Sequence, residues 1–297
     1  MPPAGGPPPR AARPPPPPPH KPPRAEGRAR GGGAARAAPA PRGGAAAPPA
    51  GSAAGAARVV CFPHAGAGAG TYRPLATAVA ARTAGGRPYE VLAVQYPGRN
   101  DRIREARVED LATLAAGAHR ALAALTDRPL VLLGHSMGAL VAYEAARLLE
   151  RAGAAPAHLI ASSAWAPSEV RGGTVHLQGD DGLIDEIRRT RGTDPRLLDN
   201  RDVLAMALPV VRSDYKAVET YRHRPGPPLT TPVTALTGDR DPLVAVGEAA
   251  AWERHTTGGF RLRVFPGGDH FYLSGHWAEL ADHLVSAPPR PVVAAAG

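Results

Sequence analysis

The chain has 297 residues, a formal net charge of +9, 35 prolines, 34 glycines and a single cysteine. That cysteine, Cys61, excludes an intrachain disulfide and any multi-cysteine metal site, and its apolar surroundings mark it as a small core residue rather than a nucleophile. No apolar run reaches the 18 or so residues a membrane-spanning helix needs, and the N-terminus has no apolar signal segment, so the expectation is a cytoplasmic protein with no membrane partner.

Residues 1–57 contain 17 of the prolines, including the run Pro14 to Pro19, and no Val, Ile, Leu or aromatic residue. Such a segment cannot bury enough apolar surface to offset its ordering entropy, so the sequence predicts a disordered Pro/Ala/Arg-rich arm. Eight basic residues against Glu26 give the arm a net +7, leaving +2 for everything after it. The basic balance therefore belongs to the arm, which reads as a solvated appendage, and it does not make the rest a nucleic-acid binder. The folded material is expected over 58–287, a comfortable size for one α/β domain, with a short disordered tail over 288–297.

Taken in order, Arg58 to Phe62 reads as a strand and runs into the small-residue loop Pro63 to Gly70. The loop matches neither the phosphate-binding G-x-x-x-x-G-K-[ST] nor a dinucleotide-binding G-x-G-x-x-G in its proper setting. A helix is expected from Tyr72 to Arg82 with Leu75, Val79 and Ala80 toward the core, then a strand from Tyr89 to Gln95 and a sharp turn at Tyr96-Pro97-Gly98-Arg99. Val108 to Leu125 carries apolar residues at helical spacing. Leu130 to Leu133 is a buried-strand run, followed by Gly134-His135-Ser136-Met137-Gly138 and a helical pattern from Ala139 to about Arg151. Strand, G-x-S-x-G and helix in direct succession form the nucleophile elbow of an α/β-hydrolase. Ser136 must then occupy a strained turn, and Gly134 and Gly138 leave space where a Cβ would collide.

His158 to Ala164 is again strand-like, after which the alternation stops. From about 165 to 228 three helices are expected, Leu177 to Arg191, Asp194 to Asn200 and Val203 to Arg222, a helical lid inserted over the site. Tyr215, Val218 and Tyr221 read as packing. Asp180, Asp181, Asp185 and Glu186 read as a solvated face and not as metal ligands. Strands resume at Pro232 to Leu236 and Phe260 to Phe265, and a last helix spans Trp277 to about Ser286. Strand–helix alternation argues for a mainly parallel sheet covered by helices on both faces.

A serine hydroxyl needs a base, and the base needs an orienting carboxylate. In this fold they follow in the order Ser, Asp, His, each from a loop beyond a strand. Ser136, Asp241 and His270 fit that order. Asp241, just before Pro242, is favoured over Asp239, which is expected to brace the turn, and Asp269 is too near His270 in sequence to serve it. His64 precedes the nucleophile and reads as loop structure or pocket lining. The amides of Ala65 and Met137 are the expected oxyanion hole, the small residues of the 63–70 loop letting a carbonyl approach the backbone.

The segments Cys61-Phe62-Pro63-His64-Ala65-Gly66, Gln95-Tyr96-Pro97-Gly98-Arg99, Gly134-His135-Ser136-Met137-Gly138, Thr237-Gly238-Asp239-Arg240-Asp241-Pro242 and Gly267-Gly268-Asp269-His270-Phe271-Tyr272 together resemble the type II thioesterases of polyketide and nonribosomal peptide synthesis. The resemblance implies an α/β-hydrolase that removes acyl groups from the phosphopantetheine arm of acyl or peptidyl carrier proteins, with its triad at Ser136, Asp241 and His270. The substrate brings the pantetheine, so neither a cofactor nor a metal is expected, and the enzyme is expected to be a monomer. The 57-residue arm departs from the family pattern. The lid is expected to move relative to the sheet and to gate a narrow apolar chamber, with Arg188, Arg189 and Arg191 either meeting an acidic carrier or forming an ordinary solvated face. Two other readings remain on sequence alone: a general carboxylesterase or lipase of the same fold, and a non-catalytic adaptor recruited through a polyproline arm.

Overall fold

A computed structural model describes residues 57–83, 89–193 and 195–286. The expected arm, apart from Ala57, and the 288–297 tail lie outside the described residues. Ala57 belongs with the fold: it is buried, and its carbonyl accepts from the Glu90 amide at 3.0 Å.

Six strands form one sheet: β1 (Arg58–Phe62), β2 (Glu90–Ala93), β3 (Leu130–His135), β4 (His158–Ser162), β5 (Val233–Gly238) and β6 (Phe260–Phe265). Their order is β2-β1-β3-β4-β5-β6, and every pairing is parallel. The sequence reading of a mainly parallel sheet thus becomes a wholly parallel one among the described residues. Strand side chains alternate between two cores, as a period of two requires when both faces are covered. Val60, Phe62, Leu130 and Leu132 face one layer, built on α2 (Leu111–Leu122) and α3 (Met137–Arg151). Val59, Cys61, Val131 and Leu133 face the other, which packs on α1 (Arg73–Thr83) and, at the far end of the chain, the helix Trp277–Ser286.

Element edges shift in ways the local chemistry explains. α1 follows a 3-10 turn at Ala69–Tyr72, and Ala80 is exposed where the sequence reading placed it in the core. Leu75 and Val79 set the apolar stripe, and Ala80 lies about 100° around the helix from Val79. α2 begins at Leu111, three residues later than the apolar pattern suggested, because the Asp110 carboxylate caps it by accepting from the Thr113 amide at 2.7 Å. The short helix Val246–Ala250 and the 3-10 turn Ala251–His255 had no counterpart in the sequence reading.

The insertion between β4 and β5 contains α4 (Asp180–Thr190), α5 (Pro195–Leu198) and α6 (Arg201–Glu219). Asp194, the expected start of the middle helix, lies outside the described residues. Leu183, Leu208 and Val211 give the insertion a small core of its own. Pro209 lies inside α6 without ending it. α6 contacts the sheet domain at several points. Ser213 Oγ donates to the Val108 carbonyl at 3.2 Å, Lys216 pairs with Glu109 at 2.5 Å, and just beyond the helix Tyr221 Oη donates to Glu144 at 2.8 Å. α4 packs against this helix.

Candidate active site

The site lies at the carboxyl ends of the strands, beside the point where the order reverses from β1 toward β2 on one side and β3 on the other. Ser136 joins β3 to α3 with φ 54° and ψ −121°, a backbone region that costs a residue with a Cβ and that the surrounding structure must enforce. Two close approaches enforce it. A Cβ on Gly138 would sit 2.0 Å from the Phe62 carbonyl oxygen, and one on Gly134 would sit 2.4 Å from the Ala139 backbone. The neighbour is rigid backbone in both cases, so Gly138→Ala should lower stability by about 3 kcal/mol or more, read as a fall in the urea midpoint. An unchanged midpoint would mean that the elbow and β1 are not in this contact.

His270 follows β6, and Asp241 follows β5. His270 Nδ1 faces both Asp241 oxygens at 3.0 and 2.9 Å, and His270 Nε2 lies 3.1 Å from Ser136 Oγ. The structure thus brings together the three residues the sequence picked out. The side chain of Asp241 is fully buried. Burial by itself would raise its pKa, but the hydrogen bond and charge of His270 and the Leu243 amide hold it below the usual carboxylate value. Asp239 is turned away and accepts from the Gly267 amide at 2.6 Å, bracing the turn before His270, while Asp269 accepts from the Phe271 amide at 2.9 Å.

Ala65 and Met137 line the same cavity as Ser136 and His270. Among the described residues neither amide donates to an acceptor in the chain. The cavity is about 600 Å³, walled by apolar side chains such as Leu140, Ile187, Val211 and Val218. Glu186, expected on a solvated face, instead lines this cavity, where it accepts from Tyr215 Oη at 3.4 Å and pairs with Arg189 at 2.7 Å. Arg188 pairs with Asp185 at 3.3 Å, so two of the three lid arginines are already partnered. Among the described residues no cluster of three His, Cys, Asp or Glu side chains is arranged to hold a metal, and no helix is long and apolar enough to cross a membrane.

His64 and His135 pack around His270 and Phe271, with His64 lining the cavity as expected and His135 Nδ1 3.0 Å from Ser162 Oγ. Desolvation holds His64 at about 3, and His158 and His255 at about 4, against an ordinary 6.5, and pushes His135 well down in the same direction. The unfolded chain therefore binds more protons than the folded one between about pH 6.5 and those lower values. Stability from keeping these rings neutral is complete above about pH 6.5 and is lost as pH falls. Urea midpoints should drop steadily from pH 7 to pH 4.5. A flat profile would contradict neutral burial of these rings.

The sequence reading missed the ion pair beneath the 63–70 loop, where Arg99 reaches Asp214 of α6 with both terminal nitrogens at 2.7 Å. Arg99 lies in a motif singled out from the sequence, but Asp214 is one of three acids in its helix and has no local signal. The sequence reading likewise gave no role to Glu219, which accepts from the Val175 and His176 amides at 2.9 and 3.0 Å and fixes the cavity edge.

Residues 57–287 match the family described as Thioesterase domain. The chain is similar to the probable cadicidin biosynthesis thioesterase of Streptomyces griseus, 47% identical over 82% of this chain and 66% of that protein, just under two thirds of its length. It is also similar to Thioesterase PikA5 of Streptomyces venezuelae, 44% identical over 80% of this chain and 85% of that one. Among solved structures it is similar to the type II thioesterase BorB of the borrelidin biosynthetic cluster, with TM-score 0.71 and 45% identity over 78% of this chain and 92% of that chain. RedJ, a thioesterase of the prodiginine pathway of Streptomyces coelicolor, gives TM-score 0.71 at 36% identity, covering 83% of this chain and 97% of its own. On this fold, this site and these matches, the chain belongs to the thioesterase family, as a thioester hydrolase related to the type II thioesterases of polyketide and nonribosomal peptide pathways.

Proposed function

We propose that the enzyme hydrolyses acyl groups from the phosphopantetheine arm of acyl or peptidyl carrier proteins, unblocking or editing a polyketide or nonribosomal peptide synthase. One observation carries the reading: an unbroken Asp241–His270–Ser136 hydrogen-bond chain opens into a mainly apolar cavity. Ser136 Oγ attacks the thioester carbonyl while His270 Nε2 takes its proton. Asp241 holds the imidazole with Nδ1 protonated and balances the charge it gains. The amides of Ala65 and Met137 receive the oxyanion, each such donor being worth about 3 kcal/mol. The pantetheine thiol departs with the proton from His270, and His270 then draws a proton from water as it attacks the acyl-serine. Collapse of the second intermediate returns that proton to Ser136 and frees the acid.

This cycle draws on protein groups alone and asks for no bound metal or cofactor. The test is mass spectrometry of acyl-carrier proteins incubated with the enzyme, set beside the same acyl group on free coenzyme A and as a simple oxyester. The expected ranking of kcat/KM is carrier first and oxyester last, since carrier contacts add binding energy outside the cavity. A preference for the oxyester would return the reading to a general carboxylesterase.

A further inference from the structure

We propose that Arg99 and Asp214 are positioning residues for the oxyanion hole, so that a competent hole depends on helix α6 being seated against the 63–70 loop. The inference rests on the assignment of the Ala65 amide to the oxyanion. Asp214 lies on α6 and is fully buried, and Arg99, in the turn after β2, is nearly so. The Asp214 carboxylate accepts from both terminal nitrogens of Arg99 and from the Gly66 amide, each at 2.7 Å. Arg99 in turn donates to the Ala67 carbonyl at 3.0 Å and stacks 5.2 Å from the Tyr96 ring centre. The pair therefore grips the peptide N–H immediately after Ala65 and the carbonyl of the residue beyond it. The helix also touches the loop directly. Gly66 has φ +81°, and a Cβ there would lie 2.8 Å from Val211 Cγ2 on the same helix.

Stability does not account for this arrangement. A buried ion pair is often no better than apolar residues of the same volume, because desolvation offsets the attraction. What the pair supplies here is direction. Both contacts lie on the C-terminal side of the Ala65 N–H, and the His64 carbonyl, which shares a peptide with that N–H, accepts from the Ala67 amide at 3.1 Å, so holding Gly66 and Ala67 restrains the Ala65 amide from rotating away from the cavity. A displacement of about 1 Å in such a donor can cost about 100-fold in rate. Asp214 comes from the insertion and not from the sheet, so the lid helix supplies the anchor for a loop that leaves β1.

The test uses the full-length enzyme and an acyl trifluoromethyl ketone. Ser136 Oγ adds to the ketone carbon, its proton passes to His270, and the carbonyl oxygen becomes an oxyanion whose ionisation is followed by 13C NMR. The double variant Arg99→Met/Asp214→Leu removes both charges without leaving either unpaired. Its kcat should fall about 10- to 100-fold with KM within about twofold, and its adduct oxyanion should titrate at higher pH than in the unaltered enzyme. A folded double variant with kcat within about threefold and the same oxyanion titration would overturn the proposal. Should the double variant not fold, Asp214→Asn carries the test. It keeps the volume but loses the bidentate grip, so its oxyanion should also titrate higher, and an unchanged titration overturns the proposal. If the unaltered enzyme forms no Ser136 adduct, or one whose oxyanion ionises as in water, the reading of Ser136 and Ala65 fails, whatever the variants do.

Discussion

Ser136→Ala should reduce kcat/KM for an acyl-pantetheine thioester by about 10⁴-fold or more while leaving the melting temperature within a few degrees. The separation of the two effects follows from where the strain sits. Alanine keeps the Cβ, so the cost of φ 54° at the elbow is the same in both proteins, and the backbone hydrogen bond from the residue-136 amide to the Ser162 carbonyl at 2.8 Å is untouched. The hydroxyl contributes only its contact with His270 Nε2, a hydrogen bond of about 1 kcal/mol net. The chemistry, by contrast, has no substitute nucleophile in line with the base. Purified variant that retained more than about 1% of the activity would remove Ser136 from the nucleophile's role.

Asp241→Asn should cost about 10⁴-fold in kcat, with little loss of fold. Asp241 accepts from His270 Nδ1, from the Leu243 amide at 2.8 Å and from the Val244 amide at 3.2 Å. An asparagine can keep the backbone contacts through its carbonyl oxygen, and its NH2 then faces the imidazole. That NH2 asks Nδ1 to accept, which puts the ring proton on Nε2, where it can no longer take the proton of Ser136. Asp239→Asn is the matched control. Its oxygen can still accept from the Gly267 amide, so kcat should change by less than about threefold. If the two variants exchanged their effects, Asp239 would be the residue that orients the base.

Much of this was legible locally. Ser136 announces itself because the elbow needs a strand, two small residues and a helix within about twenty positions, all set by short-range sterics. His270 and Asp241 were recoverable because each follows a strand in an order fixed by the connectivity of parallel sheets. The two-sided cores were legible in the same way, since Leu130, Val131, Leu132 and Leu133 form an uninterrupted apolar run, the mark of a strand buried on both faces.

Other features depend on residues that meet only after the chain has folded. Whether Asp241 or Asp239 faces the imidazole depends on how the β5 turn lies against the β6 turn, and sequence alone could only rank them. Glu186 looked like one acid on a solvated helix face because nothing in its neighbours reports that α6 brings Tyr215 against it. Asp214 carried no signal at all. Its partners are Arg99, 115 residues away, and Gly66, 148 residues away, and a buried charge is tolerated only where such distant groups converge on it. The sequence by itself determined the fold class and pointed to Ser136 and His270, with Asp241 ranked above Asp239, since elbow sterics and strand order leave their mark in short segments. Tertiary structure alone decided which polar groups are partnered, and therefore which side chains hold the 63–70 loop in place, because that depends on contacts between segments the chain keeps far apart.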